Sequence, residues 1–335
     1  MSSRRLKVLY LSETDVESVG LTMKATIELT EEALREHALG GTIVPPKVFV
    51  DMRTITEHKC DADAMPGYVS SCDICGVKWI GANWDNLRKY GLPNTLSTII
   101  LNDPETFAPT AIMAGNWITA MRTGAATAVC AKYLGRKDPR RVGIIGAGYQ
   151  ARYQLLALNE VLKIGEVNAF DLDHDTSEEY ANEMGGRTGL KITAVNHAKD
   201  AMKSAELVVV ATSSTEPAVG SDWIVEDGHL LCSIGTYAEL EPELVKSVDK
   251  IIVDHLGQAV YTGALAECFS RKLISKKDIH AELGEVIAGK KTGRESDSER
   301  ILCVLTGMVC EDLVIASRIH QMATEKGVGQ QLQWL

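Results

Sequence analysis

Residues 142–151 read Val142-Gly-Ile-Ile-Gly146-Ala-Gly148-Tyr-Gln-Ala151, an apolar run that ends in the pattern G-x-G-x-x-A. Each small residue has a physical task in a phosphate-binding turn. Gly146 lets the backbone turn sharply, and Gly148 lets it approach a pyrophosphate. Ala151 lets the next helix pack closely on the strand and aim its N-terminal N–H groups at the phosphates. Leu155, Leu158 and Leu162 follow at i, i+3 and i+7, so a helix follows the turn. A second apolar run, Val167 to Phe170, then ends in Asp171. An acid at that place binds ribose hydroxyls and repels a 2′-phosphate, which favours NAD(H) over NADP(H). Asp173 and Asp175 read as solvated turn residues.

Outward from this turn, strand-like runs recur at 191–195, 207–212, 230–234 and 250–254, with helical segments between them. This alternation predicts a Rossmann-type α/β domain, a doubly wound parallel sheet. Upstream, a strand at 8–11 and an amphipathic helix over 21–39, stopped by Gly40-Gly41, precede runs of β-formers at 48–50, 67–69, 77–80 and 98–101. Thr119 reads as the N-cap of a helix running to Leu134, which places Arg122 in its first turn. The last helix is expected over 303–325, packed back on the first domain. The expected domains are therefore a discontinuous, strand-rich α+β substrate and dimerisation domain (1–122 plus 306–335) and an NAD-binding domain (123–305).

The 335 residues suit two domains, and 45% of them are apolar. A net charge of −10 without a basic tract argues against nucleic acid as a partner. No apolar run approaches the roughly 18 residues needed to span a bilayer, and the N-terminal stretch has no apolar core of a signal peptide. A cytoplasmic protein with no membrane partner is expected. The eight cysteines read as reduced thiols, Cys72-x-x-Cys75 included, and the eight histidines show no metal-ligand spacing, so no metal site is expected.

Several stretches together resemble the ornithine cyclodeaminase/μ-crystallin family. They are Gly76-Val-Lys78, Leu101-Asn-Asp-Pro-Glu-Thr106, Ala111-Ile-Met113, Ile118-Thr-Ala-Met-Arg-Thr-Gly-Ala-Ala126, the fingerprint, His280-Ala-Glu-Leu-Gly-Glu-Val-Ile287 and Gly293-Arg-Glu-Ser-Asp-Ser298. The resemblance implies a dimeric, two-domain subunit with its active site between the domains. It also implies hydride transfer between nicotinamide C4 and the α-carbon of an amino or imino acid. Lys78 falls on the family's active-site lysine and Arg122 on its substrate-carboxylate arginine. Lys47 falls where many members have a second carboxylate-binding arginine, and Asp63 where the cyclodeaminase has a glutamate. Thr98, like Thr95, lies in the segment that supplies a substrate-contacting hydroxyl in relatives. Gly307 keeps the glycine of a near-terminal motif whose serine position is Leu305 here. The expected cofactor set is Gly146, Ala147, Gly148, Tyr149, Gln150, Ala151 and Asp171, with Thr123 and Thr212.

One departure bears on the reaction. The cyclodeaminase carries an aspartate soon after the glycine ending the fifth strand, and the matching position here is Thr236. A threonine is no general base near neutral pH. The expected activity is therefore NADH-dependent reduction of a small α-imino acid. Ornithine or lysine cyclodeamination is the alternative, and a non-catalytic NAD-binding protein the third reading. Chemically, a bidentate arginine suits the carboxylate, a lysine of lowered pKa suits the imine nitrogen, and Asp63 suits an orienting or proton-relay role. Arg122, Lys78 and Lys47 are expected to form a positive pocket for a small anion.

Overall fold

The computed structural model describes residues 6–223 and 228–335, apart from the Asp222 side chain. Residues 1–5, part of the N-terminal stretch expected to lack a signal peptide, lie outside the described residues. The chain divides into two compact units, Met1–Arg122 with Met308–Leu335, and Thr123–Gly307.

The first unit is built on a mixed sheet. Its strands are β1 (Lys7–Leu11), β2 (Thr42–Ile43), β3 (Val48–Asp51), β4 (Asp61–Val69), β5 (Ile74–Ala82), β6 (Thr95–Asn102), β7 (Pro109–Ala114) and a terminal strand Gln330–Gln333. The order is terminal strand, β1, β7, β6, β5, β4, β2, with β3 also paired to β4. Only β1 and β7 run parallel. Period-2 alternation sends Leu9, Leu11, Met65, Val69, Ile99, Leu101 and Met113 to one buried face. Each such side chain contributes about 1.5–3 kcal/mol by leaving water. The C-terminal helix Val309–Lys326 lies across this face on β4, β5 and β6, and the helix Met23–Ala38 packs against it. Close approach explains two glycines. A Cβ on Gly67 would run into Val309, and one on Gly76 would sit 2.7 Å from Leu313.

The second unit is a parallel sheet of β8 (Arg141–Ile145), β9 (Glu166–Phe170), β10 (Lys191–Ala194), β11 (Leu207–Val210), β12 (Leu230–Ser233), β13 (Lys250–Val253), β14 (Ala281–Glu282) and β15 (Ile301–Val304). Their order is β10-β9-β8-β11-β12-β15-β13-β14. The direction of winding reverses between β8 and β11, the switch point at which such sheets bind ligands. Every residue of β11, β12, β13 and β15 is buried, as strands covered on both faces require.

Two expected boundaries change. The linking helix runs Asn116–Leu134, so Thr119 is inside it and Arg122 stands in its second turn. The start is fixed by a tertiary contact, because the Glu13 carboxylate accepts the Trp117 N–H at 2.7 Å. Ile301–Val304 is a central strand, and the last helix starts only at Val309. A short apolar run has no periodicity that separates a buried strand from a buried helix. Among the described residues no helix is long and apolar enough to cross a membrane.

Candidate active site

Lys78 lies at the centre of β5, between Met65 of β4 and Ile99 of β6. Its side chain is fully buried, and its Nζ donates to Asp312 Oδ2 at 2.6 Å. Asp312 belongs to the first turn of the C-terminal helix and is itself buried. Beside this pair the Arg122 guanidinium stands 3.4 Å from both Glu311 Oε2 and Asp312 Oδ1. Glu311 Oε2 also accepts the Met308 N–H at 3.3 Å, which satisfies one of the helix's orphan donors. Two cations and two carboxylates are thus interleaved out of water. Burial, followed by the Arg122 charge, pushes the Lys78 ammonium down to about 7, against the opposing pull of Asp312.

The expected positive pocket is corrected by this arrangement. Glu311 and Asp312 offset Arg122 and Lys78, because two unpaired cations in such a place would bear a large desolvation cost. Asp63 shares the Lys78 face of the sheet, opposite Ile80 and two residues before Met65. Burial raises its carboxyl above the usual range, and Lys47 pulls the other way. Lys47 itself is half-buried, just ahead of β3.

Thr98 is on the wrong face. It pairs with Trp79 and Ala114, and so points away from Lys78 and is exposed. Two hydroxyls of β6 share the Lys78 face: that of Thr95, half-buried opposite Ala82, and that of Ser97, which is buried and lies 3.4 Å from Thr119 Oγ1. A one-residue slip reverses every side chain of a strand, and composition alone cannot set that register.

The fingerprint turn of the second unit has the geometry a dinucleotide needs. Gly146 has φ +88°, and a Cβ there would sit 2.5 Å from the Ala211 carbonyl. Nothing lies within 4 Å of a Cβ built on Gly148, which opens the helix Tyr149–Val161. That open space at a helix N-terminus fits a pyrophosphate. Arg152 holds the turn from behind, donating to the carbonyls of Ala147 and Gly148 at 3.0 and 3.1 Å. Ala151 is buried under the helix, Gln150 half-buried and Tyr149 exposed against Tyr153. Asp171 accepts the Ala147 N–H at 2.8 Å, at the end of β9. Asp173 caps the helix His174–Thr188, a structural task for a residue read as a solvated turn.

Thr212 follows β11, and its methyl would meet a Cβ on Gly146 at 3.1 Å. Thr123 is buried in the linking helix, where its carbonyl accepts the Thr127 hydroxyl. Gly307 follows β15 with φ +83°, and its N–H donates to the buried Asp254, which also takes the Thr306 hydroxyl at 2.9 Å. Among the described residues no group of His, Cys, Asp and Glu is placed to hold a metal. Glu311, Asp312, Ser97 and Asp254 escaped the sequence reading. The first two did leave a signal, adjacent acids inside the apolar run Val309-Cys-Glu-Asp-Leu-Val-Ile-Ala316. Buried charges in such a run demand partners.

A doubly wound dinucleotide fold, joined to a mixed sheet that buries an interleaved Lys–Asp–Arg–Glu group, defines a class of nicotinamide-type oxidoreductase architecture. The chain belongs to the ornithine cyclodeaminase/mu-crystallin family, whose model matches residues 7–327. It is 37% identical to the alanine dehydrogenase of Archaeoglobus fulgidus, over 98% of this chain and 99% of that protein. Among solved structures it is similar to the Thermococcus litoralis Delta(1)-pyrroline-2-carboxylate reductase in complex with NADH and L-proline. That match has a TM-score of 0.91 and 36% identity, covering 97% of this chain and 100% of the other. An archaeal alanine dehydrogenase dimer with bound NAD matches at TM-score 0.91 and 36% identity, covering 98% and 100%.

Proposed function

We propose that this protein is an NADH-dependent reductase of small α-imino acids, working in the reverse direction as an amino-acid dehydrogenase. The observation that carries the reading is the fully buried Lys78, held at 2.6 Å by Asp312 with its acidity near 7 and with a guanidinium beside it. A lysine poised near neutrality can release and regain a proton at physiological pH. Bound NADH supplies a hydride to the C=N carbon. Gly146, Ala147 and Gly148 hold its pyrophosphate, and Asp171 holds the adenosine ribose, with Tyr149, Gln150, Ala151, Thr123 and Thr212 completing that site. Arg122 grips the substrate carboxylate, with Lys47 as a second cation and Ser97 as a further contact. Lys78 Nζ gives its proton to the imine nitrogen as that nitrogen gains electron density, Asp312 keeps Lys78 oriented, and Asp63 serves as a proton relay.

Mixing the protein with NADH, a panel of 2-oxo acids and cyclic imines, and ammonia or methylamine is expected to consume NADH. Release of ammonia from ornithine with no net change in nicotinamide absorbance would replace this reading with the cyclodeaminase. The sign of the pH dependence follows from Lys78. Reduction needs its ammonium form, so kcat/KM for imine reduction should fall as pH rises through about 7. Oxidation of the amino acid needs the free amine and should rise over the same interval. Profiles with the same slope in both directions would remove Lys78 from the proton transfer.

A homodimer completes the proposal. The sheet face opposite Lys78 carries Trp79 and Leu96, 47% and 45% exposed, with Thr98 between them in register. An apolar sheet face of this kind suits an isologous contact with a second copy, and the similar archaeal alanine dehydrogenase is a dimer. Trp79→Glu is expected to shift the protein from dimer to monomer, measured by light scattering on a sizing column. An unchanged mass would move the interface elsewhere. The compartment proposed is the cytoplasm, in keeping with eight cysteines that are all free.

A further inference from the structure

Glu239 is fully buried in the second unit, in the loop after β12. Its carboxylate collects four hydrogen bonds. Oε1 accepts the Thr212 N–H at 2.7 Å and the Thr212 hydroxyl at 2.9 Å. Oε2 accepts the Ser233 hydroxyl at 2.8 Å and the Gly235 N–H at 2.9 Å. Its own carbonyl takes the N–H groups of Ala218 and Val219 at 2.8 and 3.1 Å. One residue therefore ties the turn after β11 to the turn after β12. A Cβ on Gly235 would run into the Glu239 carboxylate, so the sequence leaves that position bare.

These two turns lie at the carboxyl ends of adjacent strands, on the far side of the switch point from Asp171. In a doubly wound sheet each half takes one mononucleotide, and the half with the ribose-binding acid takes adenosine. The turns held by Glu239 thus belong to the nicotinamide half. Among the described residues no cation meets either oxygen. Burial outweighs the pull of the four donors and leaves the carboxyl raised to about 7. The arrangement requires an acceptor at both oxygens, since two of the donors are backbone N–H groups that cannot reverse.

We propose that Glu239 is the positioning residue of the nicotinamide half of the cofactor site, fixing the Thr212 and Gly235 turns against which that half of the dinucleotide is held. The proposal rests on the reading of this chain as an NAD(H) enzyme.

The test compares NADH with ADP-ribose, which lacks the nicotinamide ring. Glu239→Gln puts an NH₂ group against a backbone N–H. It is expected to weaken NADH binding about tenfold, by fluorescence of the reduced ring, and to leave ADP-ribose binding within about twofold by calorimetry. Ser233→Ala removes one donor from inside the fold and should weaken NADH about threefold, again sparing ADP-ribose. A purely structural role would weaken both ligands alike, and that result overturns the proposal. So does an unchanged NADH affinity in a folded Glu239→Gln protein. If Glu239→Gln does not fold, Ser233→Ala decides, and an unchanged NADH affinity there counts against it. Wild-type protein that binds no NADH overturns the underlying reading as well, whereas wild-type binding with indifferent variants overturns this inference alone.

Discussion

Lys78→Met is expected to lower kcat for imine reduction by about 10²–10⁴-fold, the usual contribution of a positioned acid or base, and to destabilise the first unit as well. The two effects have different origins and separate in a double variant. Methionine keeps the length of the lysine stem but removes the ammonium that sits 2.6 Å from Asp312. The Asp312 carboxylate then stays fully buried with only the longer 3.4 Å approach of Arg122 to compensate it. Leaving one member of a buried pair behind costs about 3–5 kcal/mol, whereas replacing both by apolar residues is often neutral. Lys78→Met with Asp312→Leu should therefore recover much of the melting temperature lost by Lys78→Met alone, while kcat stays low. Recovery of kcat along with stability would mean that the lysine serves only to fold the sheet. Asp312→Asn gives the intermediate case. Because Asp312 holds the Lys78 pKa up, its neutralisation should move the pH limit of the reductive reaction below about 7.

The same pair shows where the sequence stopped being informative. The second unit was legible because its strands are continuous apolar runs and its turn demands small residues at fixed spacing. Both are local facts. The site in the first unit depends on pairings that are not local. Lys78 alternates with Val77 and Trp79, a pattern that suits either face of a strand. Its burial is decided by the C-terminal helix, which brings Asp312 across 234 positions. Of the two β6 threonines the sequence offers, Thr95 shares the Lys78 face with Ser97 while Thr98 faces the other way, a register that no composition fixes. The resemblance identified Lys78 and Arg122, yet it carried no account of the acids that compensate them. Charge balance in a buried site is a constraint that physics supplies, and it would have directed attention to Glu311-Asp312 inside an otherwise apolar helix.

Arg122→Lys is the sharper probe of substrate binding, and its main effect should fall on KM. The guanidinium meets Glu311 and Asp312 at 3.4 Å, well beyond the roughly 2.7–2.9 Å of a strong charge-assisted hydrogen bond. A substrate carboxylate approaching in the plane of the fork at the shorter distance wins that competition. Lysine keeps the positive charge, so the two acids remain compensated and the fold should lose little stability. What disappears is the planar pair of donors. Each hydrogen bond to a charged group is worth about 1.5–3 kcal/mol, so losing one arm should raise KM for the 2-oxo or imino acid by about 10- to 10²-fold, and losing both by about 10²-fold or more. The carboxylate is gripped in the ground state and the transition state alike, and an interaction of that kind is lost from KM more than from kcat. NADH affinity should change far less than KM for the acid, because the phosphates and the adenosine ribose are held by the fingerprint turn and Asp171. A variant whose KM for the acid stays at the wild-type value while kcat collapses would place Arg122 among the groups that act on the C=N bond, and would leave Lys47 as the carboxylate's partner.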